Sequence, residues 1–413
     1  MDKLFNLGME AAIPYGLRLG YATQDYSVDA DSSDSTTFNF AAFAGELRTV
    51  HTLIRKGQLL LVDTASIDYS VRDKGEVTYL VYFLNNDIWC AAFVPSLLAY
   101  PVVKKKGEEL VGLAFAEDID VSAALKSVYP ISSIGKGALA GNEWLTTFAI
   151  PSTVQVIKEA AFKSCSNLKQ VTFDAPSSLV TIEALAFSNC YSLSSFVLPS
   201  SVKELGFEAF ASCSSLREFS FSQAELQRLP ARCFYGCSSL TSISLPEGLN
   251  IIGEKAFQYC SSLEYVYAPK TVVILKRGAF VGCEKLSTFD FGGTLEDWCS
   301  INFEYRANPM FYADKVFIEG KVPEGIVIPN TVQNILPHTF EGCQTLKVVT
   351  LQSTVETIGD AAFAHCPLLK QIHYAGTSAQ FNTIKKASNW CAGSFADVVH
   401  CADVDVPINS YDY

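Results

Sequence analysis

No stretch of this 413-residue chain approaches the roughly 18 consecutive apolar residues that a membrane-spanning helix needs, so no such helix is expected. No Gly-x-Ser-x-Gly elbow, P-loop or dinucleotide fingerprint stands in a strand–helix setting, which removes the commonest signatures of hydrolase, nucleotide and hydride-transfer chemistry. No Cys-x-x-Cys pair occurs, although a zinc centre wants paired ligands at short spacing. Positive charge is in deficit, with 31 Lys and Arg against 43 Asp and Glu and a net charge of −12. That balance argues against a polyphosphate partner, so no nucleic acid is expected; its ordinary meaning is solubility. The opening residues, Met1-Asp2-Lys3 with Glu10 and Arg18 following, lack the apolar segment of a signal peptide, and no C-terminal sorting signal is recognisable. As it stands, the sequence reads as cytoplasmic.

What the chain has in abundance is Phe and Cys, at fixed spacing. Phe-x-x-Cys-x-x-Leu occurs eight times, at Phe162/Cys165/Leu168, Phe187/Cys190/Leu193, Phe210/Cys213/Leu216, Phe234/Cys237/Leu240, Phe257/Cys260/Leu263, Phe280/Cys283/Leu286, Phe340/Cys343/Leu346 and Phe363/Cys366/Leu369. A weaker copy, Leu139/Asn142/Leu145, precedes them. Most steps are 23 to 25 residues, a period that means a solenoid whose coils bury their apolar residues only by stacking. The unit is clearest over residues 240–263. Leu240, Ile243 and Leu245 form a short strand with its fourth and sixth residues inward and its third and fifth outward. A proline then ends the strand, as it has no N–H for a ladder. Pro151, Pro199, Pro246, Pro269 and Pro329 hold this place, each followed six residues on by an apolar residue: Ile157, Leu205, Ile252, Leu275 and Ile335.

This Leu-x-x-Ile-x-Leu-Pro strand with its Ala-Phe-x-x-Cys segment, seen at Ala256-Phe257 and Cys260, resembles the BspA-like, or Treponema pallidum-type, leucine-rich repeat. The resemblance covers roughly residues 131–401. It implies a right-handed leucine-rich repeat solenoid of the α/β horseshoe class, with short parallel strands on the concave side and short helices or turns on the convex side. Cys233 and Thr339 depart from the repeat's alanine, and the second and fourth full coils lack the proline after the strand. Members of this family are often bacterial surface or secreted proteins associated with adhesion, so the resemblance also implies export as an alternative to the cytoplasm.

Between Phe280 and Phe340 the repeat is interrupted for 60 residues. A Gly-Thr-x-x-x-aromatic block begins there, Gly293-Thr294 through Trp298 to Ile301, and recurs 83 residues later as Gly376-Thr377 through Phe381 to Ile384. Tyr312, Ala313-Asp314 and Val316 match Phe395, Ala396-Asp397 and Val399 at the same offset. Residues 291–318 and 374–401 are therefore two copies of one cap-like unit. Thr294 with Asp297 and Thr377 with Gln380 read as capping boxes of short helices, whose Trp298 or Phe381 and following Ile cover an exposed coil edge. The first copy is expected to be an insert over the seventh coil, with a degenerate coil at Val316–Pro329 restarting the stack.

Stacked at strand spacing of about 4.8 Å, the ladder cysteines point in parallel and lie beyond disulfide reach. They read as buried, reduced, small hydrophobes, and Asn142 as an amide bonded to the turn backbone. Replacing Cys237 with Ser is expected to cost more than replacing it with Ala, if the hydroxyl finds no partner. Residues 1–130 lie outside the repeat and read as a small α+β domain capping the first coil, with residues 131–413 as the solenoid. Phe43, Leu47, Val50 and Ile54 fall on one helical face; Leu59–Val62, Val77–Leu84 and Ile88–Val94 read as strands, with Asn85-Asn86-Asp87 as a hairpin turn. Asp29, Asp31 and Asp34 resemble the start of a calcium loop, but its glycine and final Glu are missing, so a solvated linker is expected. His365, His373, Cys391, His400 and Cys401 gather near the C-terminus without metal-ligand spacing. No metal, cofactor or catalytic group is expected.

The outward third and fifth strand positions form two rows on the expected concave face. Most are small and hydroxylated, such as Ser195, Ser242, Ser220 and Ser244. Tyr265 and Tyr267 stand out, with Glu218, Glu264 and Asp290 nearby, and exposed tyrosines are enriched where proteins bind. Strand propensity alone would also place Tyr there. The leading reading is a non-enzymatic interaction protein that binds a protein or glycan through this face. The alternative is an enzyme or small-ligand sensor in residues 1–130 with the repeats as a recognition arm.

Overall fold

The computed structural model describes residues 131–143 and 145–408, and before them nine strands between Arg18 and Leu113. The chain divides into two compact units: residues 1–139 with 148–154 and 173–175, and the remainder. The first unit holds a seven-stranded antiparallel sheet in the spatial order Arg48–Ile54, Tyr26–Ser32, Ile88–Pro95, Thr78–Asn85, Leu59–Asp68, Arg18–Ala22, Ala99–Pro101. The strands expected at 59–62, 77–84 and 88–94 are all present, and Asn85 pairs with Ile88 as a hairpin requires. The helical face is not. Val50 and Ile54 lie on the strand Arg48–Ile54, where the β-branched Thr49, Val50, Thr52 and Ile54 override a four-point helical spacing; Phe43 and Leu47 lie outside the described residues. Asp29 and Asp31 likewise sit in the strand Tyr26–Ser32, paired with His51 and Thr49, and not in a linker; Asp34 is outside the described residues.

The second unit is built of stacked coils, each contributing to three parallel ladders. The long-strand ladder runs through Ser195–Val197, Glu218–Ser220, Ser242–Ser244, Tyr265–Ala268, Thr288–Phe291 and Lys315–Ile318. Within each strand the second residue is buried and the first and third face out, as at Ser242, Ile243 and Ser244, and a fourth residue, where present, is buried again, as at Ala268, so the register read from the repeat holds. A second ladder of two-residue strands, such as Arg228–Leu229, Ile251–Ile252 and Ile274–Leu275, passes through the apolar residue that follows each proline. That strand is too short to show a period of two in the sequence. The third ladder is the Ala-Phe turn: Phe187 N, Phe210 N, Phe234 N and Phe257 N donate to Ala209, Cys233, Ala256 and Ala279 O in the next coil at 2.8–3.0 Å. The Phe rings stack in one column, with centroids 5.3 Å apart for Phe187–Phe210 and 5.5 Å for Phe257–Phe280.

Each such turn takes two residues through the left-handed region, four apart, as at Lys255 and Tyr259 with φ of 55° and 63°. For residues with a Cβ this costs roughly 1 kcal/mol or more each. The strain is held by pairing on the next coil, where Lys255 N reaches Arg277 O at 3.0 Å and Tyr259 N reaches Val281 O at 2.8 Å.

The eight ladder cysteines are buried free thiols, and the structure adds a role that burial alone does not give. Cys190, Cys213, Cys237, Cys260, Cys283 and Cys366 each place Sγ 3.1–3.2 Å from the carbonyl oxygen of a Phe in the preceding coil. The thiol is a weak donor that ties coil to coil. Asn142 accepts from Leu145 N through Oδ1 at 2.9 Å, closing the same turn with an amide.

The two cap-like copies match as expected. Helix α1 (Leu295–Cys299) and helix α2 (Ser378–Thr383) each start with a complete capping box, from Thr294 and Asp297 and from Thr377 and Gln380. Trp298 and Phe381 are both buried. The first copy is a coil in its own right, however, and not an insert over one. Lys315–Ile318 pairs in register with Thr288–Phe291, and Asn302–Phe303 pairs with Ile274–Leu275; α1 replaces the proline turn between the two ladders. The degenerate coil expected at Val316–Pro329 is split. Lys315–Ile318 ends the first long sheet, and Gly325–Val327 opens the next. Among the described residues, no strand of the first array pairs with one of the second.

Side chains bridge this break instead. Trp298 Nε1 donates to Thr339 O at 2.9 Å, and Asn308 Nδ2 donates to His338 O at 2.7 Å and Thr339 O at 3.0 Å. Trp298 itself packs on Phe291 and Phe303, with centroids 5.4 and 5.1 Å away. Beside it His338 Nδ1 lies 2.6 Å from Glu341 Oε2, a contact that raises the imidazole's pKa against the opposing effect of burial.

Trp298→Ala should cost about 3–5 kcal/mol, measured by denaturant unfolding. Hydrogen exchange should accelerate most at residues 325–346, ahead of the interior coils at 195–268; uniform acceleration would contradict the bridging role. Because the Cys237 thiol has an acceptor in Phe210 O, a serine there keeps a partner and the expected ordering changes. Cys237→Ser and Cys237→Ala should each cost about 1–2 kcal/mol, and a serine variant much weaker than the alanine variant would show that the hydroxyl is orphaned.

Candidate binding face

The outward rows are real neighbours in space. Ser195, Glu218, Ser242, Tyr265, Thr288 and Lys315 lie opposite one another along one row, as do Val197 and Ser220, and Ser244, Tyr267, Asp290 and Phe317, along the other. Tyr265 and Tyr267 stand on one strand whose Val266 and Ala268 are buried, so both rings project from the sheet. Tyr265 Oη donates diagonally to Asp290 Oδ2 at 3.2 Å, and Tyr267 Oη to Glu247 Oε1 at 3.1 Å. Three of the expected residues, Tyr265, Tyr267 and Asp290, therefore form one cluster. Glu218 is exposed two strands away in the first row.

Glu264 does not belong to either row. It precedes the strand, and its carbonyl accepts Ser287 N, Ser287 Oγ and Thr288 N at 2.9–3.0 Å, a ladder role. Glu247, which does join the cluster, escaped the sequence reading because it lies after Pro246, beyond the strand positions that define the rows. Only its place next to the strand-ending proline marks it. A groove of about 670 Å³ runs beside the cluster, bordered by Val197, Glu218, Ser220, Ser244, Glu247 and Tyr267.

The electrostatics favour donation over proton transfer. Burial, then the charge of Asp290, raises the Tyr265 phenol above its ordinary value; burial, then the bond to Glu247, does the same for Tyr267. Both phenols stay protonated and donate to a carboxylate. The ladder thiols are pushed further from reactivity, with Cys165 and Cys283 raised to about 12 by burial, the opposite of what a nucleophile needs. Among the described residues no group of three or more His, Cys, Asp and Glu is placed to hold a metal ion. Of the C-terminal residues weighed for that role, His365 packs on Phe311 and Cys391 is buried. His373 and His400 alone face each other, on adjacent strands.

Asp290→Asn should lower the Tyr265 pKa towards the ordinary phenol value of about 10, read by NMR of ring-labelled tyrosine. Stability at high pH should respond as well. A raised phenol pKa contributes stability that is present below the unfolded value and lost as pH rises through the folded one. An unchanged Tyr265 titration in Asp290→Asn would remove Asp290 from the cluster.

Residues 132–229, 222–308 and 313–396 match the family described as the BspA type leucine rich repeat region, in six copies. No curated protein matches the chain in sequence. Among solved structures, it is similar to a leucine-rich repeat protein from Bacteroides ovatus, at 24% identity over 62% of this chain and 76% of that one, with a TM-score of 0.36. A T. pallidum leucine-rich repeat protein is 22% identical over 61% of this chain and 86% of its own, with a TM-score of 0.32. A leucine rich cell surface protein from Faecalibacterium prausnitzii is 20% identical over 78% and 98% respectively, with a TM-score of 0.30. With its Phe-Cys turns, double strand ladder and family match over more than half its length, the chain belongs to the BspA-type leucine-rich repeat family.

Proposed function

We propose that this chain is a non-enzymatic interaction protein that binds another protein through the long-strand face of its solenoid, centred on Tyr265 and Tyr267. The observation that carries this is the paired outward rings, each tied by its hydroxyl to a carboxylate beside an open groove. Rings held in this way present a large amphipathic area and lose little conformational entropy on binding. The small Ser and Thr side chains elsewhere on the rows leave room for a partner to approach the sheet. The proposal extends, by analogy with the family, to adhesion, a role carried out at a cell surface.

The test is capture of partners by the full chain, followed by direct titration of a purified partner against three forms. Wild type should bind. Tyr265→Ala with Tyr267→Ala should weaken binding at least about tenfold, the loss of one tyrosine hot spot. Tyr191→Ala with Tyr259→Ala, which removes two exposed rings from the turn side, should leave it unchanged. Full retention of binding by the Tyr265/Tyr267 variant, or loss in the turn-side variant, would overturn the proposal.

A further inference from the structure

The second array carries a side-chain constellation that the protein-binding reading does not use. His373 and His400 occupy the same outward position on consecutive long strands, paired directly in the ladder. Their rings lie 5.1 Å apart between centroids, tilted by 30°. They are 27 residues apart in sequence, because the coil between them is the second cap-like copy; Thr288 and Lys315 are separated by the same span around the first. A spacing that looks arbitrary along the chain is one turn of the solenoid.

The surroundings of His400 select one tautomer. Its Nδ1 lies 3.0 Å from Asp405 Oδ1, across the antiparallel turn that brings Asp405–Pro407 back beside the strand. A carboxylate only accepts, so Nδ1 carries the proton and the neutral ring keeps its lone pair on Nε2. This carboxylate–imidazole arrangement is what orients and strengthens histidine as a metal ligand. Neither ring is sealed in the core: both residues are half-buried on the outward face.

We propose that His373 and His400 form a two-histidine site for a divalent first-row transition ion of the Zn²⁺, Ni²⁺ or Cu²⁺ type, with Asp405 as the positioning residue of His400. Two imidazole nitrogens on one tetrahedral ion, at about 2.0–2.1 Å each, lie roughly 3.3 Å from each other. The ring centroids are 5.1 Å apart, so the site asks for side-chain rotation of His373 towards a His400 ring that Asp405 already orients. Borderline-soft imidazole suits these ions and not Mg²⁺ or Ca²⁺, which take oxygen ligands. Two protein nitrogens leave the remaining positions to water or to a ligand atom from outside, so this is an open, exchangeable site. It stands apart from the tyrosine cluster, in the other array, and neither reading depends on the other.

The experiment is calorimetric titration of the reduced full-length protein with ZnCl₂ and NiCl₂, with histidine ring NMR as a second readout. Saturable binding at one ion per chain is expected, with the His373 and His400 ring signals shifting together. His373→Ala and His400→Ala should each abolish it. Asp405→Asn should weaken it about tenfold while leaving the fold intact, and His365→Ala should leave it unchanged. Binding should also fall in acid, because a bound imidazole must be neutral. Absence of saturable binding, persistence of that binding in His373→Ala, or shifts confined to other histidines would overturn the proposal.

Discussion

A coil of this protein cannot satisfy its own backbone, and the rest of the structure follows from that. On all three sides of the coil the ladder N–H and C=O groups point along the stack to partners in the coil before and the coil after, and only tight-turn bonds, such as Cys237 N to Phe234 O and Leu240 N to Cys237 O, close within one coil. The column of Phe rings lies inside these ladders, and the cysteine thiols bond to the carbonyls of the same Phe residues. Apolar burial therefore holds neighbouring coils together, and hydrogen bonding fixes their register. The left-handed residues at every turn show how strongly this constraint acts. Tyr259 keeps a backbone conformation that disfavours a bulky side chain because releasing it would orphan the bond to Val281.

Such a stack must be ended deliberately, and the two cap-like copies show the same unit used for two purposes. In the first, Trp298 reaches out to Thr339, Phe303 packs against it, and Asn308 donates to the next array. In the second, the residues 83 positions on are Phe381, Lys386 and Cys391. Phe381 has no indole N–H to offer. Lys386 replaces Phe303 and folds back, with Nζ 4.3 Å over the Phe381 ring and bonded to the carbonyls of Phe381 and Ile384 at 2.9 and 3.0 Å. A lysine on an edge strand hinders further strand pairing, so a change at three matched positions turns a joining coil into a closing one. The matched Tyr312 and Phe395 follow suit: Tyr312 spends its hydroxyl on Arg306 O, while Phe395 is left mostly exposed.

What the sequence revealed and what it hid divide along a physical line. Positions that face the core must be apolar in every coil, so Phe, Cys, Leu and the inward strand residues repeat and were legible, along with the outward rows that alternate with them. Positions fixed by backbone geometry tolerate many side chains and leave little trace. The left-handed sites hold Ala, Leu, Glu, Arg, Lys, His, Ser, Asn, Tyr or Gly, and the second ladder shows only one inward residue per coil. In residues 1–130 no repeat supplies redundancy, and there a helical spacing of four residues lost to the β-branched character of Arg48–Ile54.

The functional surfaces were half legible for the same reason. Tyr265, Tyr267 and Asp290 sit on strand positions whose direction the repeat dictates, so their neighbourhood could be drawn from coil arithmetic alone. Glu247 could not, since it enters from the turn and only the structure shows its reach to Tyr267. The histidine pair fails differently. Coil arithmetic does place His373 and His400 together, but only once the cap-like copy is recognised as a full coil of 27 residues and not as an addition beside the stack. Treating it as an addition removes the register and makes the pair look like two unrelated histidines in a cysteine-rich tail. In a solenoid, deciding what counts as one turn decides which side chains can ever meet, so an error in the architecture of a single coil propagates directly into the chemistry assigned to its surface.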